Sequence, residues 1–532
     1  MLKAKTSARA FRIRGDDFGD ARAYVETLLA SRGVGGETSK ETLLVFDALM
    51  KELARRGLDE NTELEIEPVE KLGDFQIRVG FDGEVFAREA GSADSAEGQV
   101  LDAYGDKLAY NYHVGHNAIG IWVSRGHSTS ILACAVASLC AIVVYIPISF
   151  LLDAGDQREL FVNFVSPLET LYANVMLMIG APMTFFSLLK NLTDTHVVTQ
   201  RNSGVRMLQV RTLATSVLAI LLAFAAFFIG SGALSGLAGL SSAFSGSVDR
   251  TFADVVTSFM PPSIFEPFAA ISPIPLIALA LLCTYALCSS GKYFNTLRHA
   301  MMACYTLFSR MLYIVVAALP VFCFLAIMDV LLDSGFENLL EILAYFVVCG
   351  LGTLLLFASY AVRLRVRGVR VVPFAWKLVP LVRENIRIGS AIDAAPYNIR
   401  YCSKVFNMDR GMLNRNLPVL AETNLDGNCF LLVFFSLAFV YATGTELSWL
   451  SFIGLAVLVL FLSLGAPNQP GSILIGMLII TMYLNTPEVM CVAIYLEAFF
   501  GIAQNAINVI GDIVMMAIDG GKRDRRTPDF ME

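Results

Sequence analysis

The last apolar segment of the chain carries polar side chains on one side only. Leu496 to Ile518 is hydrophobic enough to cross a membrane. Counted from Glu497, its polar residues stand at offsets of 0, 7, 8, 11 and 15, and Gly501 stands at offset 4. An α-helix places these positions on one face. They are Glu497, Gln504, Asn505, Asn508 and Asp512. Because amides and carboxylates are costly in hydrocarbon, this face must meet protein, water or ions. Asp512 is the main candidate for a functional acid within the membrane. The alternative is a structural carboxylate that is hydrogen-bonded to a neighbouring helix.

Two further motifs interrupt apolar segments. Asn424-Leu425-Asp426-Gly427 runs into the apolar stretch Phe430 to Tyr441, and a glycine beside Asp and Asn predicts an unwound section of helix there. The proline-containing stretch Gly465 to Ser472 separates two apolar arms, Phe452 to Leu464 and Ile473 to Leu484. Arms of about 12 residues reach roughly 18 Å, about half of a bilayer. We therefore expect a re-entrant hairpin with its tip near Gly471.

The composition is that of a multispanning membrane protein. The 532 residues are 55% hydrophobic and 16% charged, with a mean hydropathy of +0.60. A net charge of -7 argues against nucleic acid as a partner. All ten cysteines follow residue 130, without a Cys-x-x-Cys pair, which favours a packing role.

Residues 1–126 differ in composition and predict an α+β module. Helical periodicity marks Ala21 to Arg32 and Ser39 to Arg56, and alternation marks strands at Glu63 to Glu67 and Phe75 to Phe81, with Asp82-Gly83 as a turn into Glu84 to Arg88. Met1 to Asp20 has no apolar run, so we expect no signal peptide and a cytoplasmic module. His113 and His116 are interpreted as surface residues.

The element order of this module weakly resembles the ATPase fold of histidine kinases and anti-sigma factors. Lys51 stands where that family has its magnesium-binding Asn, and no glycine-rich lid is evident. A regulatory or stabilising role is therefore favoured, with nucleotide binding as the alternative.

Six apolar spans follow the module. They are Ile131–Leu152, Leu171–Leu189, Leu208–Ile229, Leu276–Leu287, Leu307–Leu332 and Leu339–Val362. Lys and Arg gather after each even-numbered span, which predicts cytoplasmic termini. Val371 to Val419 contains only short hydrophobic pieces and predicts another re-entrant hairpin. The expected fold is an α-helical multispanning membrane protein with eight transmembrane helices and two re-entrant hairpins, plus an N-terminal cytoplasmic α+β domain.

Three motifs in order resemble the dicarboxylate/amino acid:cation symporters, the glutamate-transporter family. They are the Asn424 to Gly427 motif, the Pro470-Gly471 tip and Asn508 to Asp512, and the similarity covers about residues 127–520. The resemblance implies a homotrimer in the plasma membrane that works as an elevator. It implies a scaffold of about 127–195 and 252–335, a transport domain of about 204–232 and 339–520, and a cytoplasmic tail of 521–532.

The resemblance also implies binding residues. A sodium site would comprise Thr215, Ser216, Asn424 and Asp426, and another would comprise Asp512 with backbone oxygens near Asn424 and Asn508. The solute pocket would be lined by Gln504, Asn505 and Asn508, by Gly501, and by backbone near Ser390 and Gly471. Sodium would be the coupling ion, and no organic cofactor is expected.

Two departures from the family bear on the solute. Gln504 stands where acidic-substrate members carry an Arg, and Gly501 where amino-acid transporters carry an Asp. A neutral amide cannot form the bidentate pair that Arg forms with a carboxylate. We therefore expect a transporter rather than an enzyme, coupled to sodium or protons, with a neutral amino acid favoured over an acidic one or a dicarboxylate.

Two points stay open from the sequence. The alternative function is a solute-sensing membrane receptor on a transporter scaffold. Two extra acids, Glu422 and Glu497, either bind a cation or proton or pair with Arg387 or Arg400.

Overall fold

The structure is a computed structural model. It describes residues 9–12, 17–32, 34, 36–55, 62–71, 74–83, 96–104, 107–113, 115–124, 130–201, 203–234, 247–248, 256–257, 259–388, 391–442, 446–466, 471–484 and 490–520. The chain forms two compact units. The first consists of Met1–Ser128, Val372–Ala421 and Met515–Glu532, and the second of Thr129–Val371 and Glu422–Val514.

The first unit contains an antiparallel five-stranded sheet in the order β1-β2-β3-β5-β4. Its strands are β1 Arg9–Arg12, β2 Glu63–Lys71, β3 Asp74–Asp82, β4 Leu108–His113 and β5 His116–Ser124. The accompanying helices are α1 Asp17–Ser31, α2 Gly36–Arg55 and α3 Ala96–Ala103. The segment Glu84 to Arg88, into which the Asp82-Gly83 turn is predicted to lead, lies outside the described residues.

Alternation explains the core of this sheet. Leu64 and Ile66 are buried while Glu65 between them is exposed, as the two-residue period of a strand requires. Helix α2 buries Leu49 and Leu53, which lie one turn apart, in the same cluster. His116 belongs to β5, and its Nδ1 lies 2.7 Å from Asp82 Oδ1 at an exposed position.

The described residues between the module and residue 366 form eight helices. They are α4 Ser130–Leu151, α5 Ala154–Leu160, α6 Ser166–Arg201, α7 Ser203–Leu234, α8 Glu266–Ala269, α9 Pro273–Cys288, α10 Phe294–Val316 and α11 Leu319–Val366, with a π-helical turn at Phe161–Val165 and a 3₁₀ turn at Gly291–Tyr293. The later helices are α12 Val371–Ile388, α13 Ala391–Val405, α14 Arg410–Thr423, α15 Asp426–Ala442, α16 Trp449–Leu464, α17 Ser472–Leu484 and α18 Met490–Gly520. A short parallel pair joins β6 Ser247–Val248 to β7 Glu446–Leu447.

Within the described residues, seven helical segments are long and apolar enough to cross a membrane. They are Ala133–Leu151, Gly155–Asp194, Arg206–Ser231, Gly291–Val316, Leu343–Val366, Arg410–Tyr441 and Leu496–Asp519. The helices α9, α16 and α17 are apolar but shorter.

The structure divides one predicted span differently. The sequence predicts a single span from Leu307 to Leu332, whereas α10 ends at Val316 and α11 begins at Leu319. Pro320 lies in the first turn of α11, where its missing N–H costs no hydrogen bond, and it cannot continue a preceding helix. Helix α11 then runs unbroken to Val366, four residues beyond the predicted end of the sixth span.

Candidate functional site

The break between α14 and α15 places polar groups inside the second unit. Asn424 and Leu425 are not helical, and Asp426 is the first residue of α15. Its carboxylate therefore lies at the positive end of that helix dipole. Asn424 and Asp426 are each only 1% exposed. The polar groups at this break are thus shielded from water.

Asn424 connects α7 to α18 through its side-chain amide. Thr215 Oγ1 donates to Asn424 Oδ1 at 3.0 Å, and Asn424 Nδ2 donates to Asp512 Oδ1 at 2.9 Å. Asp512 is 3% exposed. Because the amide must accept from one side and donate to the other, its orientation is fixed by both neighbours.

The Asp426 carboxylate has different surroundings at its two oxygens. Tyr360 Oη on α11 donates to Oδ2 at 3.0 Å, and Arg363 Nη2 lies 4.0 Å from the same oxygen. The Arg363 guanidinium lies over the Tyr360 ring, 4.8 Å from its centroid. Oδ1 is buried and has no hydrogen-bond partner among the described residues. A buried carboxylate oxygen without a partner is costly, and a bound cation would satisfy it.

Gly511 allows α18 to approach this carboxylate closely. A Cβ atom at Gly511 would lie 3.0 Å from both Asn424 Nδ2 and Tyr360 Oη, and 3.4 Å from Asp426 Oδ2. Any larger residue would therefore press on the groups that hold both acids.

Gly427 brings the start of α15 equally close to α18. Its N–H donates to Asn508 Oδ1 at 2.8 Å. A Cβ atom at this position would lie 2.7 Å from the backbone oxygen of Gln504. Asn508 therefore holds α15 against α18 in this structure.

The predicted cation ligands are only partly brought together. Thr215, Asn424 and Asp512 are joined by the hydrogen bonds described above. Asp426 is also buried, but its contacts described above are with Tyr360 and Arg363. Ser216 is buried, but its side chain interacts with the thiol of Cys429.

The predicted solute residues lie mostly along α18. Gln504 is 7% exposed, and Asn505 has an Nδ2 without a partner among the described residues. A Cβ atom at Gly501 would lie 2.6 Å from Glu497 Oε1. Ser390 lies outside the described residues.

Glu497 binds backbone amides at the start of α17. Its Oε1 accepts from Gly471 N at 2.7 Å, and its Oε2 accepts from Leu474 N at 3.1 Å. Glu497 is 6% exposed, and Gly471 has a φ of 97°, a conformation that favours glycine. The carboxylate of one helix thus caps the N-terminus of another. These backbone amides are partners of the buried Glu497 carboxylate, so neither Arg387 nor Arg400 is needed to explain its burial.

Glu422 belongs to a separate buried network of charges. Lys190 Nζ on α6 lies 3.1 Å from Glu422 Oε1 and 3.8 Å from Asp194 Oδ2. Arg298 on α10 donates to Asp194 Oδ1 at 2.8 Å. The sequence suggested Arg387 or Arg400 as partners of Glu422, whereas its described partner is Lys190.

Three residues of the site escaped the sequence analysis. Tyr360 and Arg363 lie three positions apart on one face of α11, but Arg363 follows an apolar run and was grouped with the charges of a loop. Asn428 is 0% exposed, and neither atom of its amide group has a partner among the described residues. In the sequence, the position of Asn428 directly after Asp426-Gly427 was the signal that could have marked it as a site residue.

The residues present fit a bound alkali cation. Such an ion prefers oxygen ligands, and Asp426 Oδ1 is a buried carboxylate oxygen without a hydrogen-bond partner among the described residues. The Thr215 hydroxyl, the Asn424 amide and the Asp512 carboxylate, which are joined by hydrogen bonds, are further buried oxygen groups of this region. Among the described residues, seven helices are apolar and long enough to cross a membrane, and one of these segments is interrupted at Asn424 and Leu425, beside buried carboxylate and amide groups. This combination is typical of ion-coupled membrane transport proteins.

The comparisons with known proteins give the family. The sequence profile of the sodium:dicarboxylate symporter family matches residues 129–519. The chain therefore belongs to the sodium:dicarboxylate symporter family, as the motifs predicted. Comparison with curated proteins gives no match.

Proposed function

We propose that the protein is a secondary active transporter that couples the symport of a small organic solute to sodium, with protons as the alternative coupling ion. Membership of the family supports symport across a membrane. The observation that carries the coupling is the buried Asp426 carboxylate, whose Oδ1 is unpaired at a break in a helix and whose neighbour Asp512 adds a second acid. Thr215, Asn424, Asp426 and Asp512 would hold the ion, with Ser216 and Asn508 supporting them.

Coupling would arise from linkage between ion and solute. An ion bound at Asn424 and Asp512 would order the start of α15 and the facing stretch of α18. If that order favours the solute site, the solute strengthens ion binding by the same factor.

The polar residues near the start of α15 and α17 favour a neutral solute. Asn428, Asn505 and Ser472 each have a side-chain atom without a partner among the described residues, and all three side chains are uncharged. Gln504 likewise offers an amide rather than a guanidinium. A neutral amino acid therefore fits better than a dicarboxylate, with Gly501, Gly471 and Ser390 contributing backbone contacts.

The proposed architecture follows the family resemblance. It comprises eight transmembrane helices and two re-entrant hairpins in a homotrimer of the plasma membrane, with both termini cytoplasmic. Residues 1–126 would be a regulatory module. The scaffold and transport domain would have the boundaries given above, and the transport domain would move as an elevator. The comparisons give no support to the alternative of a solute-sensing receptor.

Solute accumulation in proteoliposomes tests this function. The full chain would be reconstituted and given radiolabelled neutral amino acids or dicarboxylates under an imposed sodium or proton gradient. We expect sodium-driven accumulation, lost in Asp426→Asn and Asp512→Asn and kept in Asp156→Asn, a change at an exposed position. Binding without accumulation would indicate a receptor. Equal accumulation by all variants would exclude the two acids from coupling.

A further inference from the structure

The Arg363 side chain is turned toward the interior, although the two arginines that follow it in the chain are exposed. Arg365 and Arg367 are exposed, as expected for cations near the C-terminal end of a helix. The Arg363 side chain is only 23% exposed, and its Nε is buried without a hydrogen-bond partner among the described residues. A helix-dipole role does not require this orientation, so the position calls for another explanation.

The charges around the two acids are unequal. In their ionised forms Asp426 and Asp512 contribute two negative charges, and the Arg363 guanidinium lies 4.0 Å from Asp426 Oδ2. One further monovalent cation would neutralise this group of three. Arg363 reaches Oδ2 of Asp426, whereas Oδ1 stays unpaired. One oxygen of the carboxylate therefore faces a fixed cation, and the other has no hydrogen-bond partner among the described residues.

We propose that Arg363 is a tethered cation that competes electrostatically with sodium for the Asp426 carboxylate, so that the cluster takes up one sodium ion and binds it weakly. This inference rests on the proposed sodium coupling at Asp426. It deepens that function because it assigns the ion affinity and the number of ions to a residue that is not itself an ion ligand. Arg363 is in this sense a positioning residue.

Tyr360 holds both partners in place. Its hydroxyl donates to Asp426 Oδ2, and its ring carries the guanidinium on its face. The guanidinium is always charged, so its effect on the carboxylate persists at every pH that the protein tolerates.

Sodium-dependent thermal stabilisation of the purified full chain tests the inference. Sodium chloride would be titrated against choline chloride at constant ionic strength, since a ligand of the folded state raises its stability with concentration. An opposite charge within about 4–6 Å lowers the pKa of a carboxyl group by about 1–3 units, that is, its proton affinity by about tenfold or more, and the same repulsion acts on a metal cation. We therefore expect Arg363→Gln to lower the sodium midpoint about tenfold and to steepen the titration, because a second ion can enter.

Two variants control this experiment. Arg365→Gln removes an exposed charge from the same turn of α11 and should leave the midpoint unchanged. Arg363→Lys keeps the charge and should stay close to the wild-type midpoint, which separates charge from packing. If Arg363→Gln gives a poorly folded protein, Arg363→Met at the same position repeats the loss of charge with a side chain of similar length.

The outcomes separate this inference from the proposed function. An unchanged or higher midpoint in Arg363→Gln, together with a sodium response that disappears in Asp426→Asn, would overturn the role of Arg363 and leave sodium coupling intact. A sodium response that survives in Asp426→Asn would refute the sodium site itself. If sodium does not stabilise the wild type but stabilises Arg363→Gln, the role of Arg363 as a tethered cation is supported. If sodium stabilises neither protein, that role is refuted.

Discussion

The contact between Glu497 and the start of α17 gives a prediction whose size follows from the structure. Glu497→Gln keeps the shape of the side chain but replaces one accepting oxygen with a donating NH₂ group. Gly471 N or Leu474 N then loses its acceptor in a buried place. Leaving such a group unpaired costs about 1–3 kcal/mol. The absence of a side chain at Gly501 leaves the space that the Glu497 carboxylate occupies.

Hydrogen exchange of the full chain measures this cost locally. The amides of Gly471 and Leu474 should exchange about 5- to 150-fold faster in Glu497→Gln, because each 1.36 kcal/mol is a factor of ten. Exchange in α4 should be unchanged, since the perturbation is local. Glu159→Gln, at an exposed position of α5, is the matched control.

Two results would refute the reasoning. If exchange at Gly471 and Leu474 is the same in Glu497→Gln and wild type, the two hydrogen bonds do not hold the start of α17. If exchange rises equally throughout the second unit, Glu497 stabilises the fold as a whole rather than this segment. A local increase that also weakens solute binding would support the proposed contribution of Gly471 to the solute site.

Three further substitutions test the packing of the buried polar groups. Gly511→Ala places a Cβ 3.0 Å from Asn424 Nδ2 and should abolish the sodium-dependent thermal shift, whereas Gly350→Ala, with no heavy atom within 4 Å, should not. Thr215→Val leaves Asn424 Oδ1 without its donor and should cost about 1–3 kcal/mol in thermal or denaturant unfolding, more than Thr353→Val, whose hydroxyl is exposed. Lys190→Met leaves Glu422 and Asp194 without the ammonium group of Lys190 and should lower the free energy of unfolding by about 3–5 kcal/mol. Adding Glu422→Gln should restore part of this loss. Equal losses in the single and the double variant would contradict the ion pair.

Local patterns predicted the elements that lie within one stretch of sequence. The break at Asn424 and the polar face of α18 both follow from residue type and spacing, and the structure contains both. The family could be predicted because three such motifs occur in a fixed order. What these signals share is that each depends on residues close in the chain.

Contacts between distant elements were not predictable in the same way. Arg363 follows an apolar run, so rules for loops assigned it to the membrane surface, and only the packing of α11 beside α15 reveals its neighbour. Glu497 lies 26 residues from Gly471, and no periodicity links a carboxylate to the amides of another helix. The division at Ala317 and Ala318 was available from Pro320 but was hidden by the high hydropathy on both sides.

The positions of two residues, Gln504 and Arg363, together suggest how the chemistry of this chain has been redistributed. By the family resemblance, Gln504 would stand where acidic-substrate members have an arginine that binds the carboxylate of the solute, whereas in the structure Arg363 lies on α11, 4.0 Å from Asp426 Oδ2. A cation moved from the solute to the ion site has two linked effects. It removes the charge that an acidic solute requires, and it supplies part of the charge that sodium otherwise brings. Under the proposed function both effects would favour a neutral solute carried with fewer ions, and we expect Arg363→Gln to change the ion requirement without making the protein selective for acidic solutes. Acidic selectivity would need Gln504→Arg, and its appearance in Arg363→Gln alone would contradict this division of roles.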